Sequence, residues 1–285
     1  MDAGILRGSQ GACENAWRTL IQYAVPSYRR LQVCKERTLK TLKRLGVCDE
    51  QITVFVADDS DFSCYSKALD GIKVVTGVPG LINQRRFYNG WYEPNTPIVN
   101  VDDDLYDLKY VDSRGKLKSY DGDFNRVAEY AFKTCRSYGA KLWGIAAYEN
   151  GFYMKRQTTA GLRYVCGILH GSFAGDPAMT GDDRPLVSSG EDFETTLRSF
   201  KRYGVVIRLD WLCPKTKYFA PGGMQAELGG NNELRQIEHS KELKQIANRH
   251  KGLASCYTKS GGVTNIRLKT MKVSKIPVPS QLLPE

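Results

Sequence analysis

The sequence predicts an α/β protein: a mixed, mainly parallel sheet flanked by helices in a single domain. Two observations carry this expectation. Short apolar runs alternate with amphipathic stretches over the first hundred residues, the pattern of right-handed βαβ units. The runs are near-continuous in their hydrophobicity, as strands buried on both faces require.

Each element follows in order. Residues 1–17 show no periodicity. Leu20–Val25 reads as a buried strand ended by Pro26-Ser27. Residues 30–46 place Leu31, Cys34, Leu39, Leu42 and Leu45 at helical spacing and stop at Gly46. Ile52–Ala57 is a second strand, followed at once by Asp58-Asp59. Residues 61–70 are helical, Ile72–Thr76 is a third strand, and 80–90 are helical again. Ile98–Val101 is a fourth strand, with Asp102-Asp103-Asp104 at its end. Ligands of open α/β sheets bind beyond the carboxyl ends of the strands. That rule delivers Pro26-Ser27-Tyr28, Asp58-Asp59 and Asp102-Asp103-Asp104 to one edge.

Further on, Leu105–Tyr120 reads as a loop or hairpin, and 122–138 as a helix with Phe124, Val127, Ala128, Ala131, Phe132 and Cys135 on one side. Leu142–Ala147, Phe152–Lys155, Arg163–Leu169 and Val205–Leu212 are expected as strands. Residues 172–189 and 220–232, rich in Gly, Pro, Asp and Ser or in Gly, are expected as loops. Helices are expected from Gly190 to about 203 and over 233–250, and an extended basic segment at the end.

The composition bounds the function. The chain has 285 residues, 41% hydrophobic and 25% charged, which excludes collagen-like, low-complexity and wholly disordered classes. Its eight cysteines are evenly spread and none pair at zinc-like Cys-x2-Cys spacing, so free, mostly buried thiols are expected. No apolar run is long enough for a membrane span and no leader is recognisable, so a cytoplasmic location, such as a phage-infected host cell, is the expectation.

Two acidic clusters carry chemistry. Three adjacent carboxylates at the end of a buried strand repel one another unless a cation or proton intervenes. Hard oxygen ligands suit magnesium or manganese, which take one or two carboxylates plus substrate phosphates. In an extended stretch Asp102 and Asp104 point to one side and Asp103 to the other; the alternative is an acidic solvated turn. Gly190-Glu191-Asp192 opens a helix, where a carboxylate either caps the N-terminus or serves as general base toward a hydroxyl.

Val25-Pro26-Ser27-Tyr28, the strand ending Asp58-Asp59, Asn83-Gln84-Arg85-Arg86-Phe87, Val99-Asn100-Val101-Asp102-Asp103-Asp104 and Gly190-Glu191-Asp192 occur in this order over roughly residues 20–205. As a set they resemble the GT-A class of nucleotide-sugar glycosyltransferases. The resemblance implies a Rossmann-like GT-A core at 20–232. Residues 20–104 form its nucleotide-binding half and 105–232 its acceptor-binding half, with a lead-in at 1–19 and a basic helix and tail at 233–285. It implies a UDP-sugar donor and Mn2+ or Mg2+ bound by Asp104, with Asp102 helping through the metal or the ribose. Pro26, Ser27 and Tyr28 lie by the uridine, Asp58 near the base, Asp103 with the donor-binding group and Arg85 at the diphosphate. Asp192, beside Glu191, matches the base of inverting members.

Gly190-Glu191-Asp192-Phe193-Glu194 and Phe219-Ala220-Pro221-Gly222-Gly223-Met224 resemble more narrowly the DNA-modifying glucosyltransferases of phages and the base J glucosyltransferase. Those enzymes transfer glucose to 5-hydroxymethylpyrimidines in DNA. Other readings are the same enzyme class with a protein, lipid or glycan acceptor, and a non-catalytic nucleic-acid-binding protein. The metal-binding histidine of some GT-A members has no clear counterpart among His170, His239 and His250. His170 is assigned to acceptor contact, as is Trp143. Tyr148, Phe152 and Tyr153 are further stacking candidates, with core packing as the alternative.

The formal charge is +10, and residues 235–285 hold ten basic against three acidic side chains, whereas 51–200 hold 17 against 20. This distribution suits a phosphate-tracking surface beside an acidic centre, or a solvated basic helix and tail.

Overall fold

Strand β1 (Gln22–Pro26) and strand β2 (Ile52–Val56) are joined by a helix, α1, running from Leu31 to Arg44. The computed structural model describes residues 21–181, 190–216, 232–258 and 264–284. Next come α2 (Asp59–Ala68), β3 (Lys73–Thr76), α3 (Leu81–Trp91) and β4 (Pro97–Val101). The hairpin β5 (Asp107–Val111) and β6 (Leu117–Ser119) leads to α4 (Phe124–Tyr138), β7 (Leu142–Ile145), β8 (Gln157–Gly161) and β9 (Leu169–Phe173). A short helix α5 (Pro177–Thr180) precedes α6 (Glu191–Tyr203), β10 (Val206–Leu209), β11 (Leu212–Lys215) and α7 (Asn232–Arg249). The hairpin β12 (Ala254–Thr258) and β13 (Thr264–Leu268), then β14 (Ser274–Pro277), complete the chain.

Among the described residues nine strands form one sheet in the order β14-β8-β10-β7-β9-β4-β1-β2-β3. The β1–β2, β2–β3, β1–β4 and β7–β10 pairings are parallel, and β9 runs antiparallel between β4 and β7. Every residue of β2 and β4 is buried, the two-face burial expected of their apolar runs. The segment set apart as a basic tail returns a strand, β14, to the sheet edge beside β8.

Helix α4 shows how sequence becomes packing. Asp123 caps it through Asn125 N–H, Gly139 ends it in the left-handed region at φ 72°, and Phe124, Val127, Ala128, Ala131, Phe132 and Cys135 are buried along one side. Phe132 meets Trp143 edge-on at 5.6 Å between ring centroids. Cys34, Cys135, Cys166 and Cys213 are buried free thiols, while Cys48 and Cys64 are exposed.

Three expected strands need correction. Phe152–Lys155 is a turn, because Asn150 draws the backbone back through its side chain to Phe152 N–H (3.0 Å) and its carbonyl to Tyr153 N–H (3.1 Å). Most of Arg163–Leu169 is irregular. Thr196 Oγ1 accepts Val165 N–H (3.1 Å), and Gly167 carbonyl is bound by Arg85 (2.9 Å), so side chains replace ladder partners. The strand begins only at Leu169. Val205–Leu212 is split at Asp210-Trp211 into β10 and β11, which join different sheets. The expected loop at 172–189 contains the end of β9 and helix α5; its residues 182–189, like 217–231, lie outside the described residues.

Candidate active site

The carboxyl ends of β1, β2 and β4 open on a cavity of about 280 Å3 lined by Pro26, Ser27, Tyr28, Arg30, Gln84 and Asp102-Asp103-Asp104, among others. The topology therefore brings together the first and third polar clusters. Asp58 stands differently. Its carboxylate caps α2 by accepting Asp61 N–H (2.9 Å), and its neighbour Ala57 reaches the cavity wall instead.

The chain turns at Asp103-Asp104 instead of staying extended, so Asp103 and Asp104 share the Arg30 guanidinium while Asp102 pairs with Arg85; only burial alternates along the triplet. Asp103 turns inward: Ser27 Oγ donates to it at 2.7 Å and Arg30 pairs with it at 3.0 Å. Burial pushes its carboxyl up to about 7 against the pull of Arg30 and Ser27. Asp102 and Asp104 are more open, with side chains 27% and 20% exposed. Arg85 donates to Oδ1 of Asp102 (2.7 Å) and Arg30 to Oδ2 of Asp104 (3.3 Å). The cations demanded by the triplet are thus partly arginines. The sequence reading missed Arg30, although the charge of the triplet and its place just past β1 were the signals available. It missed Tyr65 too, whose hydroxyl lies 2.8 Å from Ser27 Oγ.

Arg85 lies deeper than a diphosphate ligand at the surface would. Its guanidinium donates to Asp102, to Gly167 carbonyl and to Glu191, with a side chain only 10% exposed. Burial opposes its charge, but Glu191 and Asp102 outweigh that and keep it protonated above its ordinary range. A Cβ at Gly167 would lie 3.0 Å from this guanidinium and 3.1 Å from Glu191, so glycine makes the close approach feasible. Gln84 fixes the helix that carries Arg85. It accepts from Val78 N–H and donates to Val56 carbonyl, both at 2.8 Å.

Arg85 joins the two acidic clusters. On its far side α6 opens at Gly190, whose φ of 77° suits glycine and which offers no side-chain cap. Burial raises Glu191 to about 7 despite Arg85. Asp192 is also raised by burial, while Tyr164 hydroxyl, donating to Oδ2, and Phe193 N–H, donating to Oδ1 (2.9 Å), favour its charged form. Asp192 therefore does not act as a helix cap; it is a buried carboxylate with a raised proton affinity, the condition that suits a general base. Tyr164 escaped the sequence reading because only its stacking on Phe193, at 4.3 Å between centroids, aims it there.

His170 lines a pocket of about 20 Å3 with Arg85, Glu191 and Asp192. Its Nδ1 lies 3.2 Å from Gly167 carbonyl, its Nε2 is buried without a hydrogen-bond partner, and burial, then Arg85, lower its pKa to about 3. It is a neutral imidazole beside the Glu191 and Asp192 carboxylates. The assignment of Trp143 to acceptor contact is overturned. Its ring is fully buried over Gly171, where a Cβ would lie 1.9 Å from Nε1. The other stacking candidates, Tyr148, Phe152 and Tyr153, are exposed. Tyr148 and Tyr153 border a cleft of about 470 Å3 that also reaches Tyr164, Tyr257, Arg163 and Lys269.

Among the described residues no three ligating groups converge on a cation position. Asp102 and Asp104 each keep one oxygen not claimed by the arginine contacts above, on the wall of one cavity. They fit a hard divalent ion that completes its shell with phosphate and water.

No protein-family model and no curated protein matches the sequence. Among solved structures the chain is similar to a mycobacterial protein at 12% identity, with a TM-score of 0.50 and coverage of 93% of this chain and 89% of that one. It is also similar to glucosyl-3-phosphoglycerate synthase from Mycobacterium tuberculosis in complex with Mn2+, UDP and phosphoglyceric acid, at 12% identity, 93% and 92% coverage and a TM-score of 0.48. A mannosyltransferase from Pyrobaculum calidifontis in complex with GDP-Man and Mn2+ aligns at 12% identity, 85% and 70% coverage and a TM-score of 0.47. The likeness is one of fold: an α/β domain whose mixed, mainly parallel sheet is flanked by helices.

Proposed function

We propose that this protein is a metal-dependent, inverting glycosyltransferase that moves a sugar, glucose foremost, from a UDP-sugar to the hydroxyl of a 5-hydroxymethylpyrimidine in DNA. The observation that supports this reading is one continuous chain of contacts. It runs from the cavity at Asp102 through buried Arg85 to Glu191 and its neighbour Asp192.

In this reading Pro26, Ser27 and Tyr28 border the nucleoside, and Asp104 with Asp102 would hold Mn2+ or Mg2+. The ion would supply positive charge to the departing diphosphate. Arg30 adds fixed positive charge on the same cavity wall, where charge develops as the bond breaks. Asp192 accepts the proton of the acceptor hydroxyl while the hydroxyl oxygen forms a bond to the anomeric carbon. The bond from that carbon to the diphosphate breaks from the opposite face, and its electron pair leaves on UDP. The configuration inverts. Tyr148, Tyr153 and Tyr257 offer stacking surfaces for a base, with Arg163 and Lys269 for phosphate, in the cleft that adjoins Asp192 through Tyr164.

The test is mass spectrometry of DNA containing 5-hydroxymethylcytosine or 5-hydroxymethyluracil after incubation with a panel of UDP-sugars and Mn2+. A mass gain of one sugar, lost on Asp192→Asn with UDP-sugar binding retained, is the expected result. No gain on any DNA, together with metal-dependent UDP-sugar hydrolysis lost on Asp104→Ala, would refute the acceptor and leave the donor chemistry. Neither activity would refute both.

A further inference from the structure

The face of α6 turned away from Asp192 carries a second charged centre. Glu194, Arg198, Lys201 and Arg202 fall at i, i+4, i+7 and i+8, one stripe of a helix, and two residues of helix turn the chain about 200° from Asp192. Glu194 is buried, with a side chain 1% exposed. Arg198 Nε donates to its Oε1 at 2.9 Å, and Arg249 donates to Oε2 at 3.1 Å from the end of α7. His250 Nε2 lies 3.3 Å from Oε1. Both oxygens are therefore engaged, and burial's upward push on Glu194 is outweighed by these partners, which keep it ionised.

These groups, with Lys201, Arg202, Pro177 and Ala178, wall a cavity of about 360 Å3. Four permanent cations face it against one carboxylate. The nearby Asp176 carboxylate is occupied by Ala178 N–H (2.9 Å) and Tyr203 hydroxyl (2.8 Å). Arg249 Nε and His250 Nδ1 are buried polar atoms without a hydrogen-bond partner. Burying the Arg249 Nε donor unpaired is costly, and like charges gathered in one pocket repel. An oxyanion with several acceptor oxygens resolves both, and guanidinium forks match phosphate best.

We propose that this cavity is a phosphate-binding site, separate from the transfer site and independent of the proposed transfer reaction. Its ligand is a phosphoryl group, carried either by a small phosphate ester or by a polynucleotide backbone.

Lys201 and Arg202 are exposed at the rim, so the double variant Lys201→Ala/Arg202→Ala leaves the Glu194 network intact. Calorimetric titration of the whole protein with inorganic phosphate, and fluorescence anisotropy with a labelled twelve-residue oligothymidine, read the two sources. Expected is saturable phosphate binding that weakens roughly tenfold in the double variant, with an unchanged melting temperature in its absence. If oligothymidine binding weakens in parallel and its salt slope flattens by about 1.4, the phosphate belongs to a nucleic-acid backbone. If oligothymidine is unaffected while phosphate binding falls, the ligand is a small ester. Phosphate that fails to bind, or binds both proteins equally, overturns the proposal. The second outcome would place the anion elsewhere, such as beside Arg30, and assign the Glu194 cluster to tying α7 onto α6.

Discussion

Replacing Tyr164 by Phe removes one oxygen from the neighbourhood of the proposed base and little else. The ring keeps its stack on Phe193, and the hydroxyl lost is the one that donates to Asp192 Oδ2. Asp192 is then held in its charged form by Phe193 N–H but still subject to burial, the largest influence on it. A hydrogen bond to a charged group contributes about 1.5–3 kcal/mol. At about 1.36 kcal/mol per pKa unit, its loss raises the Asp192 carboxyl by roughly one to two units. The sign is fixed: Tyr164 favours the carboxylate, so its absence lets the proton stay bound to higher pH. The acidic limb of kcat/KM against pH, measured for the acceptor at saturating donor, should move upward by that amount. At pH values above both limbs the two enzymes should converge. Donor affinity by calorimetry should be unchanged, because Tyr164 lines the cleft rather than the cavity proposed for the donor. A limb that stays in place or moves toward acid would refute the role of this hydrogen bond. Retained activity together with lost donor affinity would refute the assignment of the two pockets.

Arg30→Met leaves Asp103 buried without its ion-pair partner, a loss of about 3–5 kcal/mol for a broken buried pair, visible in the denaturation midpoint. It also frees the Asp104 oxygen that Arg30 holds, so added Mn2+ should raise the melting temperature more in the variant than in the wild type. His170 has its pKa lowered from 6.5 to about 3, so the unfolded chain binds a proton that the folded chain refuses. Its contribution to stability is full above pH 6.5 and is lost as pH falls toward 3, and His170→Gln should flatten denaturation free energy against pH in that window. Trp143→Ala should cost about 3–5 kcal/mol by urea denaturation and, at a temperature where the variant is folded, leave acceptor KM unchanged, since the ring is core.

The first four strands were legible because each is a short apolar run stopped by polar residues, three of them buried and β3 half-exposed at the sheet edge, so chain order alone fixed their carboxyl ends together. Ser27 and Asp103 meet across 76 positions for that reason. Past residue 150 the helices hold but the strand signal fails for a physical cause. Arg163–Leu169 is as apolar as a strand, yet Thr196 and Arg85 satisfy its backbone. Nothing in the local sequence announces side chains arriving from elsewhere. Trp143 misled in the opposite sense. An aromatic near the chemistry invites a stacking role, whereas the space above Gly171 decides its position.

The arginines expose the same limit in the charge argument. Three adjacent carboxylates require compensation, and that much follows from residues 102–104 alone. Which cation supplies it depends on partners 17 to 74 positions away. Arg85 and Arg30 compensate the triplet in part, and through single oxygens of Asp102 and Asp104. A site neutralised wholly by arginine would bury all three carboxylates as Asp103 is buried. Here the first and third remain partly open on the cavity while only the middle one is sealed. That asymmetry is what a divalent ion bound by two carboxylates and a diphosphate would need, because the protein must prevent collapse of the pair without claiming all their oxygens. It also explains why the link to Glu191 runs through Arg85. The guanidinium that steadies Asp102 is the one that steadies Glu191, so one buried cation serves both acidic clusters.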